Sequence, residues 1–126
     1  MTKPIFISFA IEDRHLRDFL VGQKNNEKSD IEFRDMSVKK AWDSAWKTKC
    51  RERIKECKGV VGIITTNTKK ADGQLWELKC AYEEGIPVLL IWGSPTNRPT
   101  YLPAPISGRK VYNWTWDRVS GWINGL

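Results

Sequence analysis

An α/β fold with a parallel five-stranded sheet and helices on both faces is predicted by three features of this 126-residue chain. Short β-branched or aromatic runs alternate with helical stretches along the length, the pattern of parallel strands joined by right-handed crossovers. The two central runs, Val60 to Thr65 and Ile86 to Trp92, are continuously apolar, as strands buried on both faces require. A single helical stretch lies between them, so residues 60–92 read as a βαβ unit against which the rest is arranged.

The elements follow in order. Lys3 to Phe9, with Pro4 at its start, where a strand tolerates proline, forms the first strand. A turn over Ala10 to Asp13 leads into a helix with Leu16, Phe19 and Leu20 as its apolar stripe; Gly22 ends it and Gln23 to Asp30 is a polar loop. Ile31 to Arg34 alternates like a half-buried second strand. Beyond Asp35, the stripe Trp42, Trp46, Cys50, Ile54 and Cys57 keeps a helical period until Gly59. After the third strand and a loop over Thr66 to Gly73, a helix covers Gln74 to Glu84, with Gly85 in the position just past a helix where glycine is favoured. Gly93 to Gly108 holds four of the six prolines and reads as an ordered surface excursion. Arg109 to Tyr112 is the expected fifth strand and Trp114 to Ile123 the last helix, with Trp114, Trp116 and Trp122 closing the end of the sheet.

Length and composition fit one compact domain over residues 1–126, with 40% hydrophobic and 29% charged residues. No run approaches the roughly 18 apolar residues of a membrane span, and the first residues lack the layout of a signal peptide, so a cytoplasmic location is expected. Cys50, Cys57 and Cys80 have neither disulfide-framework nor zinc spacing and are expected as small core residues, with no metal site. The net charge of +6 is densest from Lys39 to Lys58; such a face is either solvated or available to phosphates. Tryptophans interleaved with basic residues can stack nucleic-acid bases, but these follow core spacing, which argues against a nucleic-acid partner.

The commonest order for five such strands, the flavodoxin-like 2-1-3-4-5, makes the first and third strands neighbours with connections leaving in opposite directions. A crevice then opens at their C-terminal ends. It is lined by the loops Phe9 to Asp13 and Thr65 to Trp76, which brings Glu77, in the first turn of its helix, to the rim of the expected ligand site. The plainer role for such a carboxylate is to complement the helix dipole, worth about 0.3–1 kcal/mol. Ser8 reads as a structural hydroxyl, because no histidine is placed to activate it, and His15, the one histidine, reads as a surface residue.

Three stretches resemble one family. IFISFAIED at residues 5–13, the segment from Asp35 to Thr65, and LWELKCAYEEGIPVLLI at residues 75–91 are similar, in that order, to the boxes of Toll/interleukin-1 receptor (TIR) domains, most closely the small bacterial TIR-like proteins of antiphage defence. The family's catalytic glutamate opens a helix that ends in glycine eight residues later, and so carries over to Glu77. Many members place a tryptophan four residues before that glutamate; here the position is Gly73, and Trp76, Trp42 or Trp46 would supply the ring.

The resemblance implies a TIR fold and cleavage of the nicotinamide–ribose bond of NAD, with NAD as substrate and no cofactor. Nicotinamide leaves as a neutral molecule, so the reaction needs no general acid; the ribose oxocarbenium needs a nearby negative charge. Glu77 would supply it and grip ribose hydroxyls. Ser8, Phe9, Ala10, Asp13 and Asp35 would serve the substrate side, with backbone amides from Phe9–Ala10 and with Asp13 orienting that loop or binding a hydroxyl. Hydrolysis to ADP-ribose and formation of a cyclic ADP-ribose isomer, as a defence signal, both remain open. The expected partners are further copies of the chain or an effector that senses the product, and no membrane. The competing readings are a non-catalytic TIR-like interaction module and another nucleotide-binding protein on the same architecture. Flavin binding is disfavoured because FAIED, not a Ser/Thr/Gly-rich phosphate loop, follows the first strand.

Overall fold

The computed structural model describes residues 3–126; Met1 and Thr2, the start of the expected 1–126 domain, lie outside the described residues. The elements are β1 (Pro4–Ser8), α1 (Arg14–Asn26), β2 (Glu32–Arg34), α2 (Ser44–Lys55), β3 (Gly59–Ile64), α3 (Asp72–Glu83), β4 (Val88–Trp92) and α4 (Trp116–Asn124). All strand pairings are parallel, in the order β2-β1-β3-β4.

Strand alternation divides the interior into two layers. Phe6, Val60, Ile64 and Leu90 pack with Trp46, Cys50 and Ile54 of α2 and with Leu78 and Ala81 of α3. Ile5, Ile7, Val61, Ile63, Leu89 and Ile91 pack with Leu20 of α1 and with Val119 and Ile123 of α4. Ser8 follows Phe6 on the α3 side by the period of two. Opposite it in register is Gly62, where a Cβ would come within 2.9 Å of Leu90 and 3.1 Å of Leu78. Small residues at this point bring α3 close to the strand ends.

The sheet has four strands among the described residues, not the expected five. At Arg109 the chain is still in a turn, its N–H bonded to Ile106 O at 3.1 Å, and only Tyr112 reaches β4, through a single bridge to Ile91. Thr115 caps α4 three residues later, which leaves no length for a ladder. Helix limits also differ from expectation: α3 begins at Asp72 and not at Gln74, which puts Glu77 in its second turn and not its first. α1 runs through the exposed Gly22 to Asn26, since one helical glycine costs only about 1 kcal/mol. Gly59 does not stop α2 but begins β3, pressed so close to Trp122 that a Cβ would lie 2.7 Å from its ring.

Trp42 was expected on the core stripe of α2, and it is 80% exposed. The reason is local: Asp43 accepts from the N–H groups of Ala45 at 2.8 Å and Trp46 at 3.2 Å, so the helix begins after Trp42. Asp43→Ala should lower stability by about 1 kcal/mol in urea denaturation, because two N-terminal amides lose their acceptor. Gly85 has φ +69° just beyond α3, as its expected terminating role requires. Trp114, Trp116 and Trp122 are half-buried against the α1/α4 layer. No described helix is long and apolar enough to cross a membrane.

Candidate active site

The C-terminal ends of β1 and β3 meet at the point where the order of connections reverses, and α3 lies across them. Its inward side carries Gly73, Gln74, Glu77 and Leu78, all buried. Gln74 spans the two strand ends: its Nε2 donates to Ser8 O at 3.1 Å and to Ile63 O at 2.7 Å. Its Oε1 is buried with no protein partner among the described residues, an acceptor left open beside the site.

Glu77 is completely buried. Ser8 Oγ donates to its Oε1 at 2.9 Å, and the ammonium of Lys39 donates to its Oε2 at 2.7 Å. Lys39 is itself nearly enclosed, with 7% of its side chain exposed, and its Nζ stands 4.0 Å from the centroid of the Phe9 ring. Burial pushes the Glu77 carboxyl up to about 7; the Lys39 charge and the bonds from Lys39 and Ser8 pull it down, and the charge of Asp35 adds slightly to the rise. A carboxylate in this setting changes charge near neutrality, which is characteristic of functional acids and uncommon for a surface helix cap.

The expected site residues separate into groups. Ser8 and Phe9 touch the Glu77–Lys39 pair directly, and Ala10 is buried in the adjoining loop. Asp13 orients that loop: it accepts from Asn67 Nδ2 at 2.9 Å and from Thr65 Oγ1, tying the loop after β1 to the loop after β3. Asp35 is held by Arg17 Nη1 at 2.8 Å, and its carbonyl accepts from Arg53 at 2.6 Å. The three tryptophans gather outside. Trp46 is buried, donates from Nε1 to Val38 O at 2.7 Å, and packs on Trp76 with ring centroids 5.7 Å apart. Trp42 and Trp76 line a groove of about 670 Å³ together with Lys47, Asp72, Lys79 and Pro105, and Glu77 does not open into it.

His15 is exposed on α1, as expected of a surface residue. The three cysteines are free and buried, as expected. Burial raises the thiols of Cys57 and Cys80 to about 11 and Cys50 further, so all three are protonated, poor nucleophiles near neutral pH. Part of the basic stretch is committed to structure, with Arg51 bridging α2 to Glu83 at 3.0 Å and to Glu84 on the α3 side.

Lys39 was missed by sequence reasoning. It is one of eight basic residues between positions 39 and 58, and nothing in the local pattern separates it from Lys40. Gly73 held the available signal. A Cβ there would lie 2.6 Å from Lys39 Cβ, so the residue that departs from the family pattern is the one on which the lysine stem rests.

A family model described as Thoeris protein ThsB, TIR-like domain, matches residues 6–98. A comparison with curated proteins finds no match.

Proposed function

The chain belongs to the Thoeris ThsB TIR-like family of antiphage defence, and from that premise we propose that it cleaves the nicotinamide–ribose bond of NAD, with Glu77 as the catalytic carboxylate. What supports the reading is one observation: a fully buried carboxylate at the switch point, held by a hydroxyl from β1 and by a cation from a segment without helix or strand. A charge so placed stabilises a developing cation strongly, because little water screens it.

In the reaction the C1′–N bond breaks and its electron pair departs with the ring nitrogen, which turns the pyridinium into neutral nicotinamide. The oxocarbenium left at C1′ lies against Glu77. A water, or a nucleophilic atom of the same molecule, then attacks C1′, giving ADP-ribose or a cyclic isomer as the signal; a proton lost by attacking water passes to solvent. Ser8 holds one carboxylate oxygen in place. Phe9 offers an aromatic face to a cation, and Gln74 Oε1 is available to a donor of the substrate.

A second reading, a non-catalytic interaction module, draws on the same ion pair, since both oxygens of Glu77 already have partners within the chain. Incubation with NAD at rising protein concentration, following free nicotinamide, separates the two. The enzyme reading expects release that rises more steeply than protein concentration if assembly opens the site. Absence of release at every concentration, and in lysate of phage-infected cells, would favour the module.

A further inference from the structure

We infer that the ammonium of Lys39 is an internal stand-in for the cationic centre of the substrate, occupying its seat and holding the site shut until the 37–42 segment moves. The inference rests on the NAD-cleaving reading and says how that site is closed and by what chemistry it opens.

The seat is built for a cation. Lys39 Nζ donates to a carboxylate oxygen at 2.7 Å and stands over the face of Phe9, 4.0 Å from the ring centroid. A carboxylate and an aromatic face within reach of one point also suit a flat delocalised cation such as a pyridinium or an oxocarbenium. A lysine is held in that seat by its charge, and a neutral side chain of similar length has no ion pair to keep it there.

The plug is also the removable part of the wall. Ser8, Phe9 and Glu77 come from β1, the residue following it, and α3, which are packed into the core. Lys39 comes from residues 35–43, which have neither helix nor strand, and of its near neighbours Ser37, Val38, Lys40 and Trp42 are exposed. The ends of this strap are anchored, Asp35 by Arg17 and Arg53, Met36 in the core and Asp43 as the cap of α2. The part that carries Lys39, residues 37–42, is held more lightly, with Val38 O accepting from Trp46 Nε1 at 2.7 Å, Ser37 O from Arg14 Nη2 at 2.8 Å and Lys40 O from the Asp43 N–H at 2.9 Å. Displacement returns the ammonium to water, so part of the lost ion-pair attraction is recovered as hydration.

Gly73 is the second half of the device. With 2.6 Å between a Cβ at position 73 and Lys39 Cβ, a side chain there and the seated lysine exclude each other. The contact is at the root of the lysine, so an added methyl would shift the strap itself and not only the flexible end of the side chain.

The test is binding of NAD, whose nicotinamide ring is cationic, against NADH, whose dihydronicotinamide is neutral, by calorimetric titration of the full chain. Lys39→Met keeps the apolar stem and removes the charge. Gly73→Ala evicts the strap while leaving every charge in place, and the helical propensity gained by Gly→Ala, about 1 kcal/mol, offsets part of the cost of the displaced contacts. Both variants should bind NAD about tenfold or more tighter than the unaltered chain, because the closed population no longer discounts affinity. NADH should gain much less, and adding Glu77→Gln to either variant should erase the preference. Equal gains for the two nucleotides would overturn the inference, as would unchanged NAD affinity in both variants. Tighter Glu77-dependent NAD binding without nicotinamide release would sustain the inference and defeat the cleavage reading. Glu77-dependent release unaltered by either variant would do the reverse.

Discussion

Glu77→Gln is expected to reduce nicotinamide release from NAD by about 10²–10³-fold or more while leaving the fold intact, the scale seen when one group that stabilises transition-state charge is removed. Glutamine keeps the shape. Its Oε1 can still accept from Lys39, and its NH₂ can donate to Ser8 Oγ in place of the bond that Ser8 now gives at 2.9 Å. What is lost is the negative charge alone. For the unaltered chain the same argument sets the pH profile. The ionised carboxylate is the working form and burial holds its pKa at about 7, so kcat/KM for NAD should rise through a limb centred near pH 7. An ordinary glutamate would place that limb near 4.5. A profile flat from pH 5 to 8 that still depends on Glu77 would count against the buried, closed arrangement as the resting state.

The second large effect is on stability, and its sign runs opposite to that of most carboxylates. The folded pKa of Glu77, about 7, lies above its ordinary value of 4.5. Between these two values the folded chain holds a proton that the unfolded chain has released. The favourable contribution is therefore complete below about pH 4.5 and is lost as the pH rises through about 7, a change worth about 3 kcal/mol. Urea denaturation of the unaltered chain and of Glu77→Gln at pH 4.5 and 8 isolates this group, because all other titrating residues are common to both. The difference in unfolding free energy should move in favour of glutamine by roughly that amount as the pH is raised. Parallel pH dependences would show that Glu77 is solvated or compensated in the folded chain.

Much of the fold was legible because it depends on short-range pattern. The continuous apolar runs at Val60–Thr65 and Ile86–Trp92 became β3 and β4, buried on both faces or nearly so, and Gly85 ended α3 where only a residue tolerant of positive φ fits easily. Element limits shifted where two local preferences compete. Asp43 as cap outweighed the tryptophan stripe and put Trp42 in water, and a tolerable glycine let α1 continue past position 22. The fifth strand failed because Arg109 spends its N–H on a turn, a choice made by the path of the preceding loop and invisible in the composition of Arg109–Tyr112.

The sequence by itself determined the alternation of strands and helices, and hence a parallel sheet whose reversal point lies between β1 and β3 with Glu77 on the helix above it. Those features follow from periodicity and from the handedness of crossovers, which act over a few residues or apply to every chain. Only the tertiary structure decided that Glu77 is buried, that Ser8 and Lys39 share its oxygens, and that Lys39 can reach it by lying on Gly73. The Lys39–Glu77 pair joins residues 38 positions apart, across a segment without regular structure, to a helix on the other side of α2 and β3 in the chain. Which of eight neighbouring cations makes that contact is set by the course of the strap over the strand ends, and a path through space leaves no period in a sequence.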